Sequence, residues 1–226
     1  MTTKPVLVFD VNETLLDLEH LHPVFADLFG DERVMRDWFA QLILYSQTLT
    51  LAGVPSNFAD LARAVLRMVG TIRGRDLGED DLDRLSAAIV RLPPHADAAQ
   101  ALTQLREQGF RMVTLTNSPP SDGPSALERS GLASFFERSF SVQPTGCFKP
   151  APQTYQLVSD ALQVPIADLC LVACHVWDTI GMQALGGKGA LVTHGVNAPL
   201  PEVAPMPDLV AGTLTELASQ ISDRWP

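Results

Sequence analysis

Asp10 closes a short apolar run, Val6 to Phe9, and opens the segment Asp10-Val11-Asn12-Glu13-Thr14-Leu15-Leu16-Asp17. A carboxylate at the tip of a β-type run can attack an electrophile or move a proton, because strands of open parallel sheets point their carboxyl ends at the ligand crevice. Alone, such an Asp is equally a turn or a helix cap. Three further features favour chemistry. Thr116-Asn117 ends a second apolar run, Lys149-Pro150 precedes a helical pattern, and Asp178 follows a further apolar run in Leu171-Val172-Ala173-Cys174-His175-Val176-Trp177-Asp178. A lysine can neutralise a buried carboxylate, and a histidine changes charge near neutral pH.

The elements that must carry these residues alternate. Apolar runs buried on both faces read as parallel strands at Val6 to Phe9, Met112 to Leu115, Leu169 to Ala173 and Ala190 to Val192. Helical patterns separate them, among them Ala98 to Gln108, stopped by Gly109, and Gln153 to Leu162, with Tyr155, Val158 and Leu162 in register. The pattern predicts an α/β fold, a Rossmann-like parallel sheet flanked by helices. From about Leu18 to Leu92 no strand pattern occurs. Phe58, Leu61, Ala62, Val65, Leu66 and Val69 keep one helical face apolar, and Leu82, Leu85 and Ile89 another, before Pro93 and Pro94 stop the run. A core of residues 1–17 and 95–226 with a helical insertion at 18–94 is expected.

Composition narrows the partners. The 226 residues carry a formal net charge of −10 and no basic stripe, which disfavours nucleic acid and anionic membrane. Cys147, Cys170 and Cys174 form neither a disulfide framework nor a zinc-ligand spacing. No apolar run is long enough to span a bilayer, and the first residues run straight into a strand without a leader pattern, so a cytoplasmic protein is expected.

The ordered set D-x-x-x-T (Asp10 to Thr14), T-N (Thr116-Asn117), K-P (Lys149-Pro150) and a late Asp (Asp178) resembles the haloacid dehalogenase superfamily over nearly the whole chain. The resemblance implies that family's α/β core, with the insertion as its cap domain. Within it, the Phe9-Asp10 opening, Tyr155 after Lys149-Pro150, and Trp177-Asp178 resemble the L-2-haloacid dehalogenases. Phosphatases of the superfamily carry a second Asp two places after the nucleophile, as general acid, where this chain has Asn12. They commonly place an acid that helps to bind magnesium four residues before the late Asp, where this chain has Cys174. A thiol is a poor magnesium ligand and a departing halide needs no proton, so both changes favour dehalogenation.

The resemblance implies a metal-independent reaction without cofactor on a small 2-haloacid, converting L-2-haloacids to D-2-hydroxy acids. Asp10 would form an ester, with Lys149 and Thr14 beside it. His175, oriented by Glu13, would activate the water that hydrolyses it. The usual branch has Tyr at Asn12, Asn at His175, Ser at Ala173, and a halide-holding Arg at Phe39. The chain is similar instead to a smaller subgroup with a His/Glu dyad and an aromatic at that Arg position. Asn12, Phe39, Ile43, Phe58, Thr116, Asn117, Tyr155 and Trp177 are the expected substrate neighbours, Thr116 and Asn117 through an anion-binding strand-to-helix turn. Dimers are common among relatives, which leaves room for a homodimer. Duller readings stay open. Glu13 could cap a helix, His175 could be a satisfied core histidine, Asp178 could serve structure alone, and cap aromatics at helical spacing could be core. A magnesium-dependent phosphatase and a non-catalytic binding module are the alternative functions.

Overall fold

The computed structural model describes residues 4–120 and 123–226. Six parallel strands form one sheet in the order β3-β2-β1-β4-β5-β6: β1 Val6–Phe9, β2 Met112–Thr116, β3 Arg138–Ser141, β4 Leu169–Ala173, β5 Lys188–Val192 and β6 Leu209–Ala211. Val8 sits at the centre, paired with Val113 on one side and Leu171 on the other. Sequential order reverses around β1, so the carboxyl ends of β1 and β4 flank the switch point at which open α/β sheets bind ligands.

Every residue of β1 and β4 is buried, as expected for apolar strands covered on both faces. α5 (Ala98–Glu107) and α9 (Leu214–Arg224) pack side by side, with Leu102, Leu105, Leu217 and Ile221 meeting Phe9 and Val172 of the sheet. α7 (Pro152–Leu162) and α8 (Val176–Ala184) pack together, and α8 lies against β4 and β5. α6 (Ala126–Arg129) is a single turn, capped at Ser125.

Between β1 and β2 the chain forms α1 (His22–Phe29), α2 (Val34–Leu51), α3 (Phe58–Ile72) and α4 (Glu79–Val90), with no strand among the described residues. α3 buries the predicted face, Phe58 to Val69, and begins at Asn57, whose side chain accepts from the Ala59 and Asp60 amides. Trp38 is 1% exposed and donates its indole N–H to the Ala62 carbonyl at 3.0 Å, which ties α2 to α3. The outgoing and returning chains pair. The Asp17 amide donates to the Pro93 carbonyl at 2.8 Å and the His95 amide to the Leu15 carbonyl at 2.9 Å.

Two strands escape the sequence pattern, and both are sheet edges. β3 has exposed Arg138 and Ser139, and β6 is three residues long, so neither shows an apolar run. Among the described residues no helix is long and apolar enough to cross a membrane, and the three cysteines are free.

Candidate active site

Asp10 lies just past β1, 6% exposed, its amide bonded to the Val172 carbonyl of β4 at 3.0 Å. Both carboxylate oxygens have a donor. Thr14 Oγ1 donates to Oδ2 at 2.7 Å, and Lys149 Nζ donates to Oδ1 at 2.7 Å. The Thr14 hydroxyl also accepts the Cys174 amide at 3.0 Å, joining the loop after β1 to the end of β4. The D-x-x-x-T spacing thus closes one turn in which the threonine returns to the aspartate.

Lys149 is 1% exposed and uses all three ammonium protons: on Asp10, on the Leu115 carbonyl at 3.1 Å and on Asp178 Oδ2 at 2.6 Å. Burial would discharge it, but the Asp10 and Asp178 charges outweigh that, so it stays an ammonium. Its amide donates to Asn117 Oδ1 at 3.0 Å, which fixes the K-P turn to the end of β2. Asp178, fully buried, takes a second donor at 2.5 Å from Tyr155 Oη, whose own ionisation burial and Asp178 push far up. Removing one partner of such a buried set costs about 3–5 kcal/mol, because the remaining charge is left uncompensated. Gly181 on α8 lets Tyr155 approach, since a Cβ there would stand 2.5 Å from Tyr155 Oη and 2.6 Å from Pro150 Cβ.

Glu13 and His175 meet beside this web. Glu13 has a left-handed backbone, φ 68°, and its buried carboxylate holds His175 Nε2 at 2.7 Å on Oε2. Arg36 of α2 occupies Oε1 and reaches Glu19 with its other arm. Burial would raise the Glu13 pKa, but His175 and Arg36 together bring it down to about 2. Burial likewise opposes charge on His175, yet the Glu13 carboxylate on Nε2 raises its pKa above the usual imidazole value, and Cys174 Sγ lies 3.4 Å from Nδ1. The ring lies between two aromatics, Trp177 stacked at 5.2 Å and Phe39 at 5.4 Å, faces that also favour imidazolium. The pairing with Glu13 therefore favours the imidazolium. Nε2 is bonded to Glu13, while Nδ1 has the weaker Cys174 sulfur contact and is the nitrogen more readily released to exchange a proton.

Among the described residues, Asp10, Cys174 and His175 are the metal-capable group, their ligand atoms within 4.8 Å of one another. One oxygen, one sulfur and one nitrogen do not suit magnesium, and burial keeps the Cys174 thiol protonated.

The structure gathers Asp10, Glu13, Thr14, Lys149, His175 and Asp178 at one strand-end crossing, with Asn12, Phe39 and Trp177 around them. Asn12 Nδ2 donates to Ser118 Oγ at 3.1 Å. The Thr116 hydroxyl accepts the Ser118 amide at 3.1 Å, and Asn117 holds Lys149, so both of these side chains support the turn. Tyr155 is fully buried, with its hydroxyl on Asp178. Phe58 packs on Phe148, ring centroids 5.5 Å apart, and Ile43 is half-buried against the core. Sequence reasoning missed Arg36, one helical turn before Phe39 on α2; the i, i+3 spacing was the available signal. It also missed His95 and His194, stacked at 3.8 Å, whose Nε2 atoms hold the Glu13 and Thr14 carbonyls at 2.9 and 3.1 Å.

Fold and site define a parallel α/β protein with a strand-end carboxylate held by lysine and threonine at the switch point of the sheet. The haloacid dehalogenase-like hydrolase family model matches residues 5–186, and the chain belongs to that family. It is 28% identical to the (S)-2-haloacid dehalogenase 4A of Burkholderia cepacia, over 97% of this chain and 92% of that one. It is 30% identical to (S)-2-haloacid dehalogenase 1 of Pseudomonas sp. (strain CBS-3), over 79% and 80%. The L-2-haloacid dehalogenase structure from Xanthobacter autotrophicus with chloropropionic acid covalently bound superposes with a TM-score of 0.87 at 25% identity, covering 97% and 98%.

Proposed function

We propose that this protein hydrolyses short L-2-haloacids to D-2-hydroxy acids without a metal, through an ester on Asp10. The observation that carries the reading is the Asp10 carboxylate bound by Thr14 and Lys149, beside Asn12 and Cys174 where phosphoryl transfer needs an acid and a hard ligand. The relatives' activity on (S)-2-haloacids and the covalent chloropropionate neighbour support it.

In the first step an Asp10 oxygen attacks C2 of the acid, the carbon–halogen bond breaks, and halide leaves with the bonding pair and inversion at carbon. Lys149 stays paired with Asp178 as the Asp10 charge is consumed. In this reading the departing halide is received beside the His175 imidazolium, which Phe39 and Trp177 contact. Before the second step His175 gives up its Nδ1 proton to solvent, and the neutral ring then takes a proton from water at Nδ1 while the water oxygen adds to the Asp10 ester carbonyl. Collapse returns that proton to the leaving 2-hydroxy acid, and the Asp10 carboxyl so formed ionises, releasing the one proton that the overall hydrolysis generates. Glu13 keeps Nε2–H in place and balances the imidazolium formed.

Residues 18–94 act as a cap in this reading. With Asp10 6% exposed and His175 8% exposed, substrate enters when α2 lifts from the dyad and is shielded from water when it returns. The net charge of −10 sets nucleic acid aside as a partner.

Halide release from L-2-chloropropionate should proceed in EDTA and disappear in Asp10→Asn. A single turnover in oxygen-labelled water should leave the product unlabelled and place the label in Asp10. Label in the first-turnover product, or magnesium-dependent hydrolysis of phosphate esters with no halide release, overturns the proposal.

A further inference from the structure

Arg36 lies outside every motif of the sequence, yet it makes the one contact by which α2 places a charged group on the dyad. Its guanidinium bridges Glu13 and Glu19, and its side chain is 35% exposed, so it joins a buried carboxylate to the surface. Phe39, three residues on along the same helical face, touches His175 directly. One face of α2 therefore supplies both an aromatic wall and a second cation to the pair.

We propose that Arg36 is a positioning residue that sets the pH at which His175 gives up its proton, through the carboxylate the two cations share. The inference rests on the dyad reading above. Glu13 offers Oε1 to Arg36 and Oε2 to His175, so each cation weakens the hold of the carboxylate on the other. Glu19 in turn draws Arg36 away from Glu13, and His22 of α1 meets Glu19 at 3.1 Å. The other charged or titratable groups around the ring are Cys174 on the adjoining residue and Asp10, neutralised in part by Lys149. His95 and His194 reach the backbone carbonyls of Glu13 and Thr14, not the carboxylate. Arg36 is thus the cation whose removal leaves Glu13 wholly to His175.

Two substitutions then move His175 in opposite directions. Arg36→Met frees Glu13 for the imidazolium, and the His175 midpoint rises by about one pH unit, the size expected for a like charge across a carboxylate at a half-exposed position. Glu19→Gln commits Arg36 to Glu13, and the midpoint falls. Arg36→Lys keeps the charge and should stay near the wild-type value.

The test is an NMR titration of the histidine ring protons in wild type and the three variants, with the His175 signal identified by its loss in His175→Asn, beside a kcat–pH profile on L-2-chloropropionate. The alkaline-rising limb of kcat should follow the ring midpoint in each variant. A midpoint unmoved in Arg36→Met, or shifts of the same sign in Arg36→Met and Glu19→Gln, overturns the inference, because a purely structural arginine lowers activity without moving the profile. Should Arg36→Met fail to fold, the downward shift in Glu19→Gln against an unmoved Arg36→Lys decides it. If no haloacid is turned over, the function proposed above falls, while the ring titration still decides the role of Arg36.

Discussion

Glu13→Gln isolates the electrostatic contribution of the dyad, because it removes a charge while nearly preserving shape. The folded protein brings Glu13 from 4.5 to about 2, with His175 and Arg36 as the stabilising partners. At ~1.4 kcal/mol for each tenfold change in proton affinity, lowering from 4.5 to about 2 corresponds to about 3 kcal/mol of stability. For a depressed carboxylate that contribution is complete above its unfolded value of 4.5 and is lost as pH falls through about 2. The raised His175 behaves oppositely: its contribution is complete below the ordinary imidazole value of 6.5 and is lost as pH climbs through the folded value. Both are therefore complete between 4.5 and 6.5. In urea unfolding followed by tryptophan fluorescence, the wild type should exceed Glu13→Gln by about 3 kcal/mol within that window, and the gap should close towards about pH 2. The variant should also lose the alkaline position of His175, since burial acts on the ring with its anionic partner gone. Equal stability of the two proteins across the window, with parallel acid limbs, would show that the Glu13 charge is not stabilised as the geometry implies.

Two other substitutions probe the web under Asp10. Gly181→Ala puts a Cβ 2.5 Å from Tyr155 Oη and 2.6 Å from Pro150 Cβ, so thermal unfolding should show a loss of about 1–3 kcal/mol, and kcat should fall as the Lys149 turn is displaced. An unchanged melting temperature would mean that α8 and Tyr155 separate freely. Tyr155→Phe removes the 2.5 Å donor from fully buried Asp178, which should cost about 1–3 kcal/mol in denaturant and lower kcat more than it raises KM. A rise in KM alone would instead make Tyr155 a substrate contact.

What the sequence disclosed follows from how each feature is encoded. β1 and β4 are apolar throughout because both faces are covered, and their bounds were read as they stand in the fold. The edge strands β3 and β6 are short or partly exposed and carry no such signature. Asp10, Thr14, Lys149 and Asp178 were legible because motif spacing maps onto strand ends. Arg36, His95 and His194 were not, since they reach the site through tertiary packing: the first from a cap helix, the others through ring nitrogens on backbone carbonyls. Tyr155 shows the converse, a motif residue whose hydroxyl is turned inward to Asp178.

Asp10 and Glu13 stand three residues apart on one loop, and their environments separate what they can do. Asp10 receives one cation, Lys149, whose charge it divides with Asp178, so negative charge remains on an oxygen that faces the crossing. Glu13 receives two, His175 and Arg36, and is held as a carboxylate at any pH above about 2. A carboxylate under-neutralised by its neighbours suits attack on carbon, and one clamped between two cations suits orienting a histidine. The division resembles other paired carboxylates whose surroundings, not residue type, assign the roles. Removing the cation of Asp10 alone should therefore separate the two roles. Lys149→Met leaves Asp10 without its one cation and with an empty place where the ammonium tied it to Asp178 and the Leu115 carbonyl, so the rate of halide release from L-2-chloropropionate should fall steeply even with the dyad untouched, and an unchanged rate would remove Lys149 from the reaction.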